Sequence, residues 1–172
     1  DVSSVTNMHG MFSTATAFNQ DLSTWDVSSV TDMSLMFSDA TSFNQDISSW
    51  NVGNLTNANR MFMRNTSFNQ NINSWNVSSV MYMFEMFNGA SSFNGNIVSW
   101  DVSSVTDMLG MFKSTPFNQD ISSWNVSNVT TIREMFKNNT SFNKNISSWN
   151  VGKVTSMRET FRGASSFNQN LA

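Results

Sequence analysis

The stretch DVSSVTDMSLMFSDATSFNQDISSW, residues 26–50, decides the fold because the rest of the chain repeats it with few changes. The copies run over residues 1–25, 26–50, 51–75, 76–100, 101–124, 125–149 and 150–172. Only a one-residue deletion near Pro116 breaks the period of 25 residues. A fixed period of this length is typical of an array in which each repeat packs on its neighbours. We therefore expect residues 1–172 to form one continuous array.

The two ends of the sequence carry copies of the ordinary kind. The chain begins at Asp1, just after the place of a repeat tryptophan, and it stops at Leu171 and Ala172 before the next one. Repeat arrays need atypical terminal copies to cover their last coils. We therefore expect this chain to be a fragment of a longer protein. End-to-end self-association through the uncapped coils is a further possibility that the sequence leaves open.

Composition excludes several classes of function. The net charge is −3 and 12% of the residues are charged, so the basic face of a nucleic-acid-binding protein is missing. There are no cysteines, which excludes disulfides and cysteine-ligated zinc. Apolar runs are only a few residues long, so we expect no membrane span in this sequence. The 15 phenylalanines supply enough apolar surface for a packed core.

The first half of each copy has the spacing of a short helix. In the second copy, apolar residues recur three and four positions apart, at Val30, Met33, Phe37 and Ala40. This spacing predicts a helix with one face towards the core. Asp32 near its start suits the helix dipole.

The second half of each copy has the alternation of a short strand. In ISSWNV, Trp50 and Val52 stand two apart, with Asn51 between them. Such alternation is typical of a half-buried strand, and stacked copies would pair these strands in parallel. The sequence thus predicts an α/β solenoid of seven coils, with short parallel strands and short helices.

Both halves carry a resemblance to a known family. Ile47, Trp50, Val52 and Leu55 reproduce the L-x-x-L-x-L spacing of leucine-rich repeats. The pattern VxxMxxMFxxAxxF resembles the BspA-like leucine-rich-repeat surface proteins, and FNQDISSW followed by DVSSVTDMSLMF is similar to the 25-residue repeats of mycoplasma and Gram-positive surface proteins in that group. The resemblance covers all seven copies. It implies a right-handed, leucine-rich-repeat-like solenoid at the cell surface or outside the cell, with an adhesive role.

Stacking turns each repeat position into a column of side chains. One polar column is the same residue in every copy, which predicts a structural ladder whose amides satisfy buried backbone groups of adjacent coils: Asn19, Asn44, Asn69, Asn94, Asn118, Asn143 and Asn168. The six tryptophans alternate with valine, so we expect them in the core rather than on a sugar-stacking surface.

No catalytic or metal-binding set emerges from the sequence. The only imidazole, His9, occupies a variable outward position, and no Ser-His-Asp set can be assembled around it. Calcium on Asp21, Asp46 and the neighbouring Asn71 is an alternative, but neutral amides alternate with the carboxylates of that column and the number of ligands is small. We predict no enzyme activity, no cofactor site and no metal site.

The outward side of the predicted strands is the candidate binding face. It consists of Thr24, Asp26, Ser49, Asn51, Ser74, Asn76, Ser99, Asp101, Ser123, Asn125, Ser148 and Asn150. Many weak contacts along such a face can sum to useful avidity. We expect a non-enzymatic module for adhesion or protein–protein interaction, with an extracellular or cell-surface protein or glycan as partner. A passive spacer and an ice-binding array with a threonine row are the alternatives.

Overall fold

A computed structural model describes residues 1–171 as a stack of seven coils built from turns. Among these residues there is no helix and no continuous strand. The β structure consists of six isolated parallel bridges that join the seventh residue of successive coils: Asn7, Asp32, Asn57, Tyr82, Asp107, Thr131 and Ser156. The predicted α/β solenoid of leucine-rich-repeat type, with its short helices and parallel strands, is therefore wrong.

Residues 30–43, where a helix was predicted, form a series of consecutive β-turns. The N–H of Met36 bonds to the carbonyl of Met33 at 3.1 Å, three residues back. The N–H groups of Leu35 and Phe37 instead bond to carbonyls of the third coil, both at 2.9 Å. An α-helix would keep all of these N–H groups within its own ladder. Alternate N–H groups here point along the stack and join the coils.

Two positions in every coil have a left-handed backbone. They are the tenth and the fourteenth residues, which in the second coil are Leu35 and Asp39, both with φ of 58°. In the fourth coil the fourteenth residue is Gly89, with φ of 73°. A residue other than glycine loses roughly 1–2 kcal/mol in this conformation. The bonds between coils offset this loss.

The predicted strand from Ile47 to Val52 is also a turn. The N–H of Trp50 bonds to the carbonyl of Ile47 at 3.1 Å, which places Ser48 and Ser49 at a corner of the coil. The N–H of Leu55 bonds to the carbonyl of Val52 at 2.9 Å and closes a second turn. The tryptophan and valine side chains point inwards as the alternation predicted, but from successive corners rather than from one strand.

Aromatic columns fill the core. Within the second coil, the ring centroids of Phe37 and Phe43 lie 3.9 Å apart, and Phe37 stacks on Phe62 of the next coil at 5.6 Å. The rings of Trp50 and Trp75 stack at 6.3 Å, and both side chains are 3% exposed. The predicted burial of tryptophan is confirmed in the central coils. Each fully buried aromatic side chain adds about 1.5–3 kcal/mol of hydrophobic stabilisation.

The indole N–H groups tie each coil to the preceding one. The Nε1 of Trp75 donates to the carbonyl of Ile47 at 2.9 Å, and the Nε1 of Trp100 donates to that of Ile72 at the same distance. Trp124 lies in the fifth coil, which is one residue shorter, and its buried Nε1 has no partner. The shortened coil therefore keeps the tryptophan stack but lacks one of these bonds.

Ser114→Gly distinguishes turns from a helix by the sign of its effect. Ser114 has φ of 56° at the fourteenth place of its coil, where two other coils have Gly89 and Gly163. Glycine adopts this conformation without steric loss, so we expect the free energy of unfolding in urea to rise by about 0.5–1 kcal/mol. In a helix the same change would lower it by a similar amount. Ser123→Gly, at an exposed site without positive φ, is the control and is expected to lower stability.

Candidate functional site

The predicted binding face lies at the surface, with all twelve of its residues exposed. Its serine hydroxyls nevertheless bond within the array. The Oγ of Ser49 donates to the carbonyl of Ser23 at 3.0 Å, and the Oγ of Ser74 donates to that of Ser48 at 2.7 Å. The serine row therefore links each coil to the one before it, in addition to any contact that it makes outside.

The acidic and amide row of the same face builds turns. The Oδ1 of Asp26 accepts the N–H of Ser28 at 3.0 Å, and Asn51 accepts that of Gly53 at 3.2 Å. These are Asx-turns, in which a side-chain oxygen replaces a backbone acceptor. The hydroxyl and N–H of Ser28 hold the pKa of Asp26 below its ordinary value. The face is thus a rigid part of the scaffold.

The same turn recurs where calcium was considered. The Oδ1 of Asp46 accepts the N–H of Ser48 at 2.9 Å, and Asp21 accepts that of Ser23 at 2.8 Å. Among residues 1–171, no three His, Asp or Glu side chains come together as a group that could hold a metal ion. In the same part of the chain, no helix has the length and hydropathy to cross a membrane. The carboxylates of this column act as turn acceptors.

The asparagine column forms a continuous chain of bonds. The Oδ1 of Asn44 accepts the N–H of Asn69 at 2.9 Å, and the Oδ1 of Asn69 accepts the N–H of Asn94 at 2.8 Å. The same bond joins the other asparagines of the column at 2.9–3.0 Å. Asn69 itself is exposed to solvent. The column thus supplies a side-chain acceptor to the next coil's backbone at every step.

His9 lies in a short chain of polar side chains. Its Nδ1 is 2.6 Å from the Oγ of Ser34, and that hydroxyl donates to the Oδ1 of Asp32 at 2.6 Å. In nucleophilic catalysis the imidazole stands between serine and carboxylate, where it can take the serine proton. Here the serine stands between the other two. This order of side chains does not suit proton abstraction from the serine. Sequence reasoning missed the contact between His9 and Ser34, which follows from their separation by 25 residues, one repeat.

The outward columns are interrupted in the fourth coil, a feature that we call the coil-4 patch: Met81, Tyr82 and Phe84. The sixth residue is threonine in every other coil, and the seventh is Asn, Asp, Thr or Ser. Met81 is 40% exposed and Tyr82 is 43% exposed. The available signal was the pair of substitutions at Met81 and Tyr82, in columns that are polar in every other coil, with Phe84 beside them in the variable ninth column. The sequence-based binding face did not include these residues.

An ordered charge pair borders the coil-4 patch. The guanidinium carbon of Arg60 lies 4.4 Å from the centroid of the Phe84 ring, and its Nε is 2.8 Å from the carboxylate of Glu85. Stacking of a guanidinium on an aromatic face contributes about 0.5–1 kcal/mol at exposed sites. These contacts hold the Phe84 side of the patch in a defined conformation.

A second charged group lies on the last three coils. The carboxylate of Glu134 is 2.8 Å from Lys113, 3.4 Å from Arg133 and 3.5 Å from Lys137. Its side chain is 12% exposed. The hydrogen bond from Lys113, with the neighbouring positive charges, lowers the pKa of Glu134 to about 2. Lys113, Arg133 and Lys137 are thus tied to one partly buried carboxylate.

We predict that substitutions in the asparagine column and in the serine row lower stability by different amounts. We expect Asn69→Ala to lower the free energy of unfolding by about 0.5–1.5 kcal/mol, because it removes the hydrogen bond that the N–H of Asn94 makes at the surface. Ser74→Ala is the matched variant at an equally exposed position. It removes a bond to the carbonyl of Ser48, which has a second lone pair for another donor, so we expect a smaller loss. Urea unfolding monitored by tryptophan fluorescence gives both values. Equal unfolding midpoints for the two variants would reject the structural ladder.

Glu134→Gln tests the charged group through its dependence on pH. The folded pKa of about 2 lies below the ordinary value of 4.5, so the carboxylate stabilises the fold above pH 4.5. That contribution is lost as the pH falls through about 2. We expect the variant to be less stable than the parent by about 1–2 kcal/mol at pH 7. The difference should shrink as the pH falls from 4.5 towards 2, and a difference independent of pH would contradict the assignment.

Comparison with known proteins places the repeat in a family. The family described as "Mycoplasma protein of unknown function, DUF285" matches the chain over residues 1–98 and again over residues 70–172. No curated protein and no solved structure was found to match. The two family matches overlap and together span the whole sequence, so the chain belongs to the DUF285 family of mycoplasma proteins.

Proposed function

We propose that the chain is a non-enzymatic module for adhesion or protein–protein interaction, which acts at the cell surface or outside the cell. The observation that carries this proposal is the coil-4 patch. Five large hydrophobic side chains in residues 1–171 are conspicuously exposed, and three of them, Met11, Met157 and Leu171, lie in the first and last coils. Met81 and Tyr82 lie in the middle of the array, where every coil has a neighbour on both sides.

The composition of the patch supports binding. Tyrosine and methionine are enriched at protein interfaces, where an aromatic ring supplies contact area at a small loss of side-chain entropy. The surrounding columns are polar and bond within the scaffold, so they hold the patch on a rigid support. A preorganised site loses less entropy on binding than a flexible one.

The extracellular or surface location is part of the proposal. It is supported by the family match, which fits repeat proteins of the mycoplasma surface. A partner would then be another extracellular or cell-surface protein or a glycan. Binding at the patch would not involve a cofactor or a chemical step.

A passive spacer is the second candidate. Its support is the internal bonding of the predicted binding face, in which the Oγ of Ser148 donates to the carbonyl of Ser122 at 2.7 Å. Threonine hydroxyls of the sixth column bond in the same way, as from Thr56 to the carbonyl of Thr31 at 3.0 Å. A surface whose polar groups serve the scaffold suits a rod that separates other domains.

The double substitution Met81→Thr with Tyr82→Asn decides between binding and spacing. It gives the fourth coil the residues of the third coil, Thr56 and Asn57, so we expect the fold to be retained with a melting temperature within about 2 °C of the parent. Surface plasmon resonance would measure binding of the whole chain to a fixed panel of extracellular-matrix proteins and cell-surface glycans. We expect the parent to bind at least one panel member and the variant to bind it at least about tenfold more weakly.

Met11→Thr is the matched control, because it removes another exposed methionine far from the patch. It should bind as the parent does. A parent that binds no member of the panel supports the spacer, and equal binding by parent and double variant shows that the patch is not the site.

A further inference from the structure

We infer that the coil-4 patch receives a protein segment in which an aromatic or aliphatic side chain is flanked by lysine or arginine. This inference rests on the proposed function and specifies the chemistry of the partner. It joins two independent features, an exposed apolar anchor point and the acidic residues of the column that contains Tyr82.

The anchor point combines rigid main chain with accessible side chains. Tyr82 forms parallel bridges to Asn57 on one side and to Asp107 on the other, so its backbone is fixed by both neighbouring coils. Met83, between Tyr82 and Phe84, is fully buried and holds the segment to the core. Tyr82 and Met81 remain free to contact a partner, and the thioether of methionine adapts to side chains of different shape.

The column that contains Tyr82 carries negative charge only. Its members include Asp32, two coils before, and Asp107 in the next coil, and it has no lysine or arginine. Asp107 uses Oδ1 to accept the N–H of Leu109 at 2.9 Å. Asp107 is partly exposed and is bridged to Tyr82, so its carboxylate can meet a cation on a segment that lies across Tyr82.

The first four coils, counted over all their faces, have the same sign of net charge. Residues 1–100 contain seven acidic residues and two basic ones. Both basic residues are paired, Arg60 with Glu85 and Arg64 with Asp39, each at 2.8 Å. Complementary charge speeds association and selects among partners with the same apolar anchor. An anionic membrane or a nucleic acid would instead be repelled by this part of the array.

Fluorescence anisotropy of labelled peptides with the whole chain tests this inference. One peptide of about a dozen residues has a Leu-Phe-Leu centre between lysines, the second has the same centre between glutamates, and the third has serines at the centre between lysines. We expect the first to bind at least about tenfold more tightly than either of the others. Raising NaCl from about 50 to about 300 mM should weaken its binding several-fold.

Variants locate the site and separate its two features. Met81→Thr with Tyr82→Asn should weaken binding of the lysine-flanked apolar peptide at least about tenfold. Asp107→Asn keeps the acceptor for Leu109, as Asn57 does for its own turn, and should reduce the salt dependence while keeping the preference for the apolar centre. Met11→Thr should leave binding unchanged.

Two results would overturn the inference. One is equal binding of the lysine-flanked and glutamate-flanked peptides, and the other is equal binding by the parent and the double variant. If the peptides fail while the parent still binds a panel of extracellular proteins and glycans through the patch, the adhesive function stands and the basic partner does not. If the panel binding is absent as well, both proposals fail.

Discussion

The bonds from alternate N–H groups of one coil to carbonyls of the next hold the array in register. In the second coil they begin at Met33, Leu35, Phe37 and Asp39, at 2.8–3.0 Å. They form only because the tenth and fourteenth residues take a left-handed backbone, which turns alternate N–H groups along the stack. The same register places Phe37 over Phe62 and Trp50 over Trp75, so the aromatic core depends on it. Backbone strain and ring stacking are thus two results of one arrangement.

At the corners of the coils, side-chain oxygens accept the backbone N–H groups that have no backbone acceptor. Within each coil, Asx-turns form at the first, seventh or twenty-first residue, as at Asp26 and Asp46, and they provide acceptors for N–H groups that face no neighbouring carbonyl. Between coils, the asparagine column provides the acceptor for a corner N–H, as Asn44 does for Asn69. Asparagine and serine are therefore frequent here for a structural reason, and their abundance at the surface does not by itself indicate a ligand.

The sequence predicted the period of the array and the inward place of tryptophan, but not the elements. In consecutive β-turns each hydrogen bond spans three residues, so the inward apolar residues recur at spacings that also fit a helix. Gly10, Gly89 and Gly110 fall inside the predicted helices and argued against them, since glycine is unfavourable in a helix interior. The candidate face could be placed at the surface from its polarity. Its internal hydrogen bonds join residues 25 or 26 positions apart. Aligning the repeats shows which residues share a column, but it gives no distances between their atoms.

The way in which each column bonds explains where the repeats can differ. At the sixth position the backbone makes a link that does not require the threonine hydroxyl: the N–H of Met81 bonds to the carbonyl of Thr56, and its own carbonyl accepts the N–H of Thr106, both at 2.9 Å. The side chain there can change without loss of register. In the asparagine column the side chain itself is the acceptor, and all seven coils keep it. Outward columns with backbone links are therefore the places where one coil can acquire a binding surface while its neighbours remain scaffold, and the coil-4 patch lies in them.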